Sequence, residues 1–181
     1  MVQSTDAPKI ETIFSAGEIA SQIDALAREI AARKLDNLLV VAILKGSFVF
    51  AADLIRGLHR AGLTPEVDFI SLSSYRDAMR SSGQVQILRD VESDVRGRNI
   101  LLVDDILESG RTLAFAKDLM AARGARQVVT CVLLDKPVER AVGIAADHRA
   151  FECPNVFVVG YGMDLAHRFR ELPFVGNLIN P

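Results

Sequence analysis

The sequence predicts an α/β fold in which a parallel sheet carries helices on both faces. Two observations predict it. Short, fully apolar runs such as LLVVAIL (38–44) and QVVTCVLL (127–134) read as strands buried on both sides. Between such runs lie longer stretches whose apolar residues recur at helical spacing, and each parallel return of the chain needs a crossover of that kind.

The elements follow in order. Ser15 with Glu18 makes a capping box, and Ile19, Ile23, Leu26 and Ile30 then repeat with the helical period, so a helix runs to about Lys34. LLVVAIL is the first strand, and FVFAADLIRGLHRA (48–61) is the helix behind it, stopped at Gly62. VDFISLS (67–73) is the next strand. SYRDAMRSSGQ (74–84) loses periodicity and gains Ser, Gly and charge, which predicts a surface loop. VQILR (85–89) resumes strand character, and a polar turn around Gly97 leads into the strand NILLVDD (99–105). A helix over 112–123 ends at Gly124; the strand at 127–134 follows and, after an irregular stretch, VFVVG (156–160) is the last strand. No repeat, low-complexity tract or linker divides the 181 residues, so 1–181 is expected to form a single domain. Ligands on such sheets bind beyond the carboxyl ends of the strands, which directs attention to the residues after 44, 73, 104, 134 and 160.

Composition narrows the function classes. Charged residues are 24% of the chain and the formal net charge is -2, which argues against nucleic acid or an anionic membrane surface as partner. The first fifteen residues show no basic start followed by an apolar stretch, and the longest apolar runs fall far below the roughly 20 residues of a membrane span. The expectation is a soluble cytoplasmic protein. Cys131 and Cys153 then read as buried thiols rather than a disulfide, and His59, His148 and His167 lack metal-ligand spacing.

The stretch LLVDDILESGRT (101–112) carries the chemistry. Gly110, Arg111 and Thr112 end like a nucleoside-triphosphate P-loop, but that motif needs glycine and lysine where the chain has Asp105 and Arg111. Gly160 and Gly162 begin a dinucleotide fingerprint whose third glycine is replaced by Leu165. The stretch makes sense for a ligand both anionic and rich in hydroxyls. Amides and hydroxyls over Ser109, Gly110, Arg111 and Thr112 can hold a terminal phosphate at a helix start, while Asp104 and Asp105 accept hydrogen bonds from ribose hydroxyls. A divalent cation would relieve their repulsion from further phosphate. The plainer alternative is an acidic loop with a helix cap, against which stands the cost of two adjacent Asp residues ending a buried strand without a partner.

VDDILESGRT resembles the phosphoribosyl-pyrophosphate motif of the type I phosphoribosyltransferases. FECPNVFVVGYGMDLAHRFRELPFVG (151–176) is similar to the purine-binding end of the hypoxanthine/guanine members, and AILKGSFVFAADL (42–54), SSY (73–75) and LLDKP (133–137) match them in the same order. The resemblance implies the phosphoribosyltransferase fold with a small hood formed by the terminal segments, a flap around 74–84, magnesium (Mg2+), and a homodimer or homotetramer. It implies transfer of a phosphoribosyl group from phosphoribosyl pyrophosphate to hypoxanthine or guanine. A non-catalytic regulator that senses phosphoribosyl pyrophosphate and binds nucleic acid is the alternative. The spacing DDxxxxGRT permits it; the match at 151–170 and the lack of a basic excess oppose it.

The same resemblance assigns roles. Lys45 and Gly46 would meet pyrophosphate across a cis peptide bond, with Arg170 as a further contact, and Ser74 and Tyr75 would begin the flap. Asp104 and Asp105 would address ribose and magnesium, and Asp164 would reach a second magnesium through water. Lys136 would donate to the purine carbonyl oxygen, although a lysine read by itself is usually solvated. Phe157 would stack on the purine and Val158 would offer backbone to its edge; without the resemblance both read as core strand residues. Two positions depart from the family pattern. Ser47 replaces a frequent second glycine, and Glu108 stands where the family usually has aspartate. That carboxylate is the candidate acceptor of the purine imidazole proton, here one methylene longer.

Overall fold

The computed structural model describes residues 8–74 and 84–179. Strand β1 (Lys9–Phe14) leads into α1 (Ala16–Ala32), whose start is fixed as the sequence suggests. Ser15 Oγ accepts the Glu18 amide at 3.3 Å, and Glu18 Oε2 accepts the Ser15 amide at 2.8 Å. There follow β2 (Leu38–Leu44), α2 (Phe48–Arg60), β3 (Glu66–Ser74), β4 (Val85–Arg89), β5 (Asn99–Leu107), α3 (Arg111–Ala122), β6 (Gln127–Asp135), β7 (His148–Glu152), β8 (Val158–Val159) and β9 (Val175–Ile179).

Six strands form the main sheet in the order β4-β3-β2-β5-β6-β7, parallel except for the β3–β4 edge pair. Side chains alternate across its faces with the strand period of two. Val40, Ala42, Leu101 and Val103 join α1 and α2 in one apolar cluster, while Leu39, Val41, Ile43, Ile100 and Leu102 join α3 in another. The sheet therefore has helices on both faces, as predicted. From β2 the chain goes outward to β3 on one side and returns to β5 on the other. The carboxyl ends of β2 and β5 thus flank a crevice where the strand order reverses, the usual ligand position in such sheets.

A second, antiparallel sheet has the order β1-β9-β8 and joins the two ends of the chain. It is the hood that the resemblance implied, and it corrects the reading of VFVVG as a strand of the main sheet. Only Val158 and Val159 form a strand there, paired with Asn177 and Gly176. Strands β1, β7 and β9 escaped the sequence reading. KIETIF is largely exposed and mixes charge with apolar residues, and HRAFE has polar ends, so neither presents a clean apolar run. β5 also extends two residues past the predicted end, so Asp104 and Asp105 lie inside the strand, with Ile106 and Leu107 still paired to Leu134 and Asp135. Tyr75 and the body of the predicted flap lie outside the described residues. No helix among the described residues is long and apolar enough to cross a membrane.

Leu54 of α2 is fully buried in the cluster that joins α2 to the sheet. Leu54→Ala is expected to lower unfolding stability by about 2–5 kcal/mol through lost transfer energy and a residual cavity. Urea denaturation should show a lower midpoint at an unchanged slope.

Candidate active site

A cleft of about 1030 Å³ opens at the carboxyl ends of β2, β5 and β6, under the hood. Its floor begins with the turn after β2. The Leu44–Lys45 peptide is cis, one bond earlier than the Lys45–Gly46 bond to which the resemblance pointed. A Cβ built at Gly46 would collide with the Asp105 carboxylate, so a larger residue here would have to displace that carboxylate. Ser47 is fully buried, and its hydroxyl donates to the Ile43 carbonyl at 2.5 Å, which gives the departure from a second glycine a structural use.

Asp104 is buried, and its Oδ1 accepts the Asp105 amide at 2.9 Å; Asp105 Oδ1 accepts the Ile106 amide, also at 2.9 Å. Burial pushes the Asp104 carboxyl well above its ordinary range, and the Asp105 charge pushes it further. Burial raises Asp105 too, partly offset by hydrogen bonding from Asp104 and by the Arg170 charge. Two desolvated carboxyls side by side disfavour double ionisation unless a cation or a set of hydroxyl donors joins them.

The turn from Glu108 to Thr112 closes the other end of the cleft. Gly110 adopts a left-handed φ of +79° and caps α3, and the Arg111 amide donates to Ser109 Oγ at 3.4 Å. The first amides of α3 face outward without intrahelical acceptors, so the turn can receive a phosphate.

Lys136 corrects the solvated reading of an isolated lysine. Its side chain is only 7% exposed, and its Nζ lies 3.4 Å from Glu108 Oε1. Its amide donates to the Leu107 carbonyl at 3.0 Å, which continues the β5–β6 pairing and turns the side chain to the cleft. Phe157 is 44% exposed and lines the same cleft, so it is not a core residue, whereas Val158 is buried in β8. Asp164 also lines the cleft; its Oδ1 pairs with Arg170 at 2.9 Å and its Oδ2 accepts the His167 amide at 2.7 Å. Arg170 does not line the cleft; its Nη1 donates to the Gly162 carbonyl at 2.6 Å. Ser74 ends β3, whose Leu72 reaches the wall, and Tyr75 is outside the described residues.

The structure thus gathers Lys45, Gly46, the two aspartates, the 108–112 turn, Lys136, Phe157, Val158 and Asp164 around one space. Sequence reasoning missed Asp135, Arg140 and the loop after Lys136, together with Glu139, Asn155 and Met163 on the walls. The signal available for Asp135 was a carboxylate at the end of an apolar strand, next to the lysine already singled out. Among the described residues, no group of three or more His, Cys, Asp or Glu side chains makes a ready metal cluster.

Residues 9–165 match the family described as the phosphoribosyl transferase domain. The chain is 39% identical over 173 residues to the hypoxanthine phosphoribosyltransferase of Escherichia coli K12, covering 94% of this chain and 96% of that protein. A crystal structure of a hypoxanthine-guanine phosphoribosyltransferase from Bacillus anthracis superposes with a TM-score of 0.86 at 38% identity, covering 94% of this chain and all of that one. A solved hypoxanthine phosphoribosyltransferase in which an invariant aspartic acid is changed to glutamic acid superposes with a TM-score of 0.88 at 34% identity, covering 96% of each chain.

Asp104→Asn removes a buried ionisable group at nearly constant volume. With a folded pKa raised above the unfolded value, the folded state holds the proton more tightly. Stability of the ligand-free protein therefore falls as pH rises from about 4 toward the raised value. At pH 7 the variant is expected to unfold at higher urea than the parent, and the gap should close toward about pH 4 and below. A gap independent of pH would contradict the electrostatic origin.

Proposed function

The chain belongs to the phosphoribosyl transferase domain family, and from that membership we propose that it is a purine-salvage enzyme joining phosphoribosyl pyrophosphate to hypoxanthine, and to guanine. The products are IMP or GMP and pyrophosphate. The observation that carries this reading is the Lys136–Glu108 pair, 3.4 Å apart in the cleft that Phe157 also lines. A 6-oxopurine presents a carbonyl acceptor and an imidazole N–H side by side, and an ammonium beside a carboxylate complements both. No observation favours the non-catalytic alternative.

In this reading Phe157 offers its ring to the purine face and Val158 its backbone to the purine edge. The 108–112 turn holds the 5′-phosphate on the α3 amides. Lys45 and Gly46 on the cleft floor address pyrophosphate, while Arg170 acts through its pairing with Asp164. The bond from the ribose carbon to pyrophosphate breaks ahead of the new bond to the purine nitrogen, so positive charge develops on the sugar. Glu108 accepts the imidazole proton as the purine attacks.

Asp104 and Asp105 suit a magnesium ion, because Asp104 is buried, both are acceptor-rich, and neither pairs with a lysine or arginine within salt-bridge distance among the described residues. Mg2+ is commonly held by one or two carboxylates together with substrate phosphates, and when bound it stabilises the charge gathering on the leaving pyrophosphate. Asp164 is the residue that would reach a second ion through water.

The free, buried thiols of Cys131 and Cys153 fit the cytoplasm. Val67 and Phe69 are 37% and 39% exposed on the α2 face of the sheet edge, beside the buried Val40 and Ala42. We assign this apolar strip to self-association as a homodimer or homotetramer. Light scattering should find an oligomer, and Phe69→Glu should shift it toward monomer.

With magnesium, phosphoribosyl pyrophosphate and hypoxanthine, the protein is expected to form IMP; absence of product would overturn the enzyme reading. Glu108→Gln should lower kcat by about a hundredfold or more, the usual loss on removing a general base. Near-normal turnover of that variant at saturating substrates would remove Glu108 from the base role.

A further inference from the structure

We propose that Arg140, anchored by Asp135, is a positioning residue that ties the phosphate turn and the purine-side lysine into one unit. The inference rests on the assignment of those two half-sites made above. Asp135 is the last residue of β6, buried, and directly precedes Lys136. Its Oδ1 accepts Arg140 Nη2, and its Oδ2 accepts Arg149 Nη1 at 3.0 Å.

Arg140 then closes the loop on itself. Its Nη1 donates to the Ile144 carbonyl at 2.7 Å, and its Nη2 also reaches the Lys136 carbonyl at 3.3 Å. One planar guanidinium therefore spans both ends of the segment from 136 to 144, a geometry that its rigid fork provides and an ammonium does not.

That segment is also the support of the phosphate turn. The Val142 amide donates to the Ser109 carbonyl at 3.3 Å. A Cβ built on Gly110 would lie 2.7 Å from Ile144 Cγ2 and 2.9 Å from the Val142 carbonyl, so the turn rests directly on the loop. The backbone that carries Lys136 and the backbone that carries the phosphate amides are thus braced by the same side chain.

An arginine serving only solubility would turn outward. Here the side chain is 19% exposed, and its buried Nε finds no partner among the described residues. An unmade hydrogen bond is a cost, and the inward pose accepts it to keep both carbonyls and the carboxylate in reach. Loosening this clamp should displace both half-sites together.

The test compares Arg140→Ala and Arg140→Lys with the parent protein. For Arg140→Ala, KM for hypoxanthine and KM for phosphoribosyl pyrophosphate are both expected to rise, by about tenfold or more, since small misplacements of binding groups are costly. Arg140→Lys should recover part of each loss. Hydrogen exchange of the ligand-free proteins should show faster exchange over 108–112 in Arg140→Ala. A purely structural role predicts a lower melting temperature with both KM values and that exchange unchanged, and this result would overturn the proposal. A change confined to one substrate would overturn it as well. If Arg140→Ala does not fold, Arg140→Lys carries the same comparison. If the parent protein forms no nucleotide, the enzyme reading fails, and the exchange measurement still decides the clamp.

Discussion

Everything at the site depends on the close approach of two neighbouring parallel strand ends. The turn after β2 lies so near β5 that any side chain at position 46 would have to displace the Asp105 carboxylate. That approach buries Asp104 beside Asp105 and raises both carboxyls. The folded chain therefore carries an electrostatic cost at its centre, where a ligand with hydroxyls and a divalent cation can offset it. Functional sites commonly keep such unfavourable local arrangements, with the surrounding core supplying the stability.

The core is suited to that task. Both faces of the sheet are covered, with α1 and α2 on one and α3 on the other, and alternate residues of β2 and β5 feed the two clusters. A rigid sheet holds the strand ends in place, while loops beyond them carry the polar groups. The hood brings Phe157 and Asp164 over the cleft from the far end of the chain, so the site is assembled from segments spread across most of the chain.

Charge pairing completes the arrangement. Glu108 and Lys136 stand together on the cleft wall, and Asp164 lines the same cleft while paired with Arg170, which does not. The extra methylene of Glu108 is compatible with this contact at 3.4 Å. Behind Lys136, Asp135 and Arg140 order a loop that has no regular secondary structure of its own.

Much of this was legible in the linear chain. The capping box at Ser15, the apolar runs of β2, β5 and β6, and the grouping of acids with a small-residue turn at 104–112 are local patterns, set by period and composition within a few residues. Strands β1, β7 and β9 were not legible, because short half-exposed strands acquire their identity from the partner they pair with. Local pattern accounts for the three helices, for strands β2 to β6 in their order, and for the chemical types gathered near 45, 104–112, 136 and 157–170. Contacts made on folding bury Lys136 against Glu108, open Phe157 to the cleft and bring Asp135 to Arg140. Those outcomes depend on which strands become neighbours. Burial and pairing are properties of contacts between distant segments, and no local spacing encodes them.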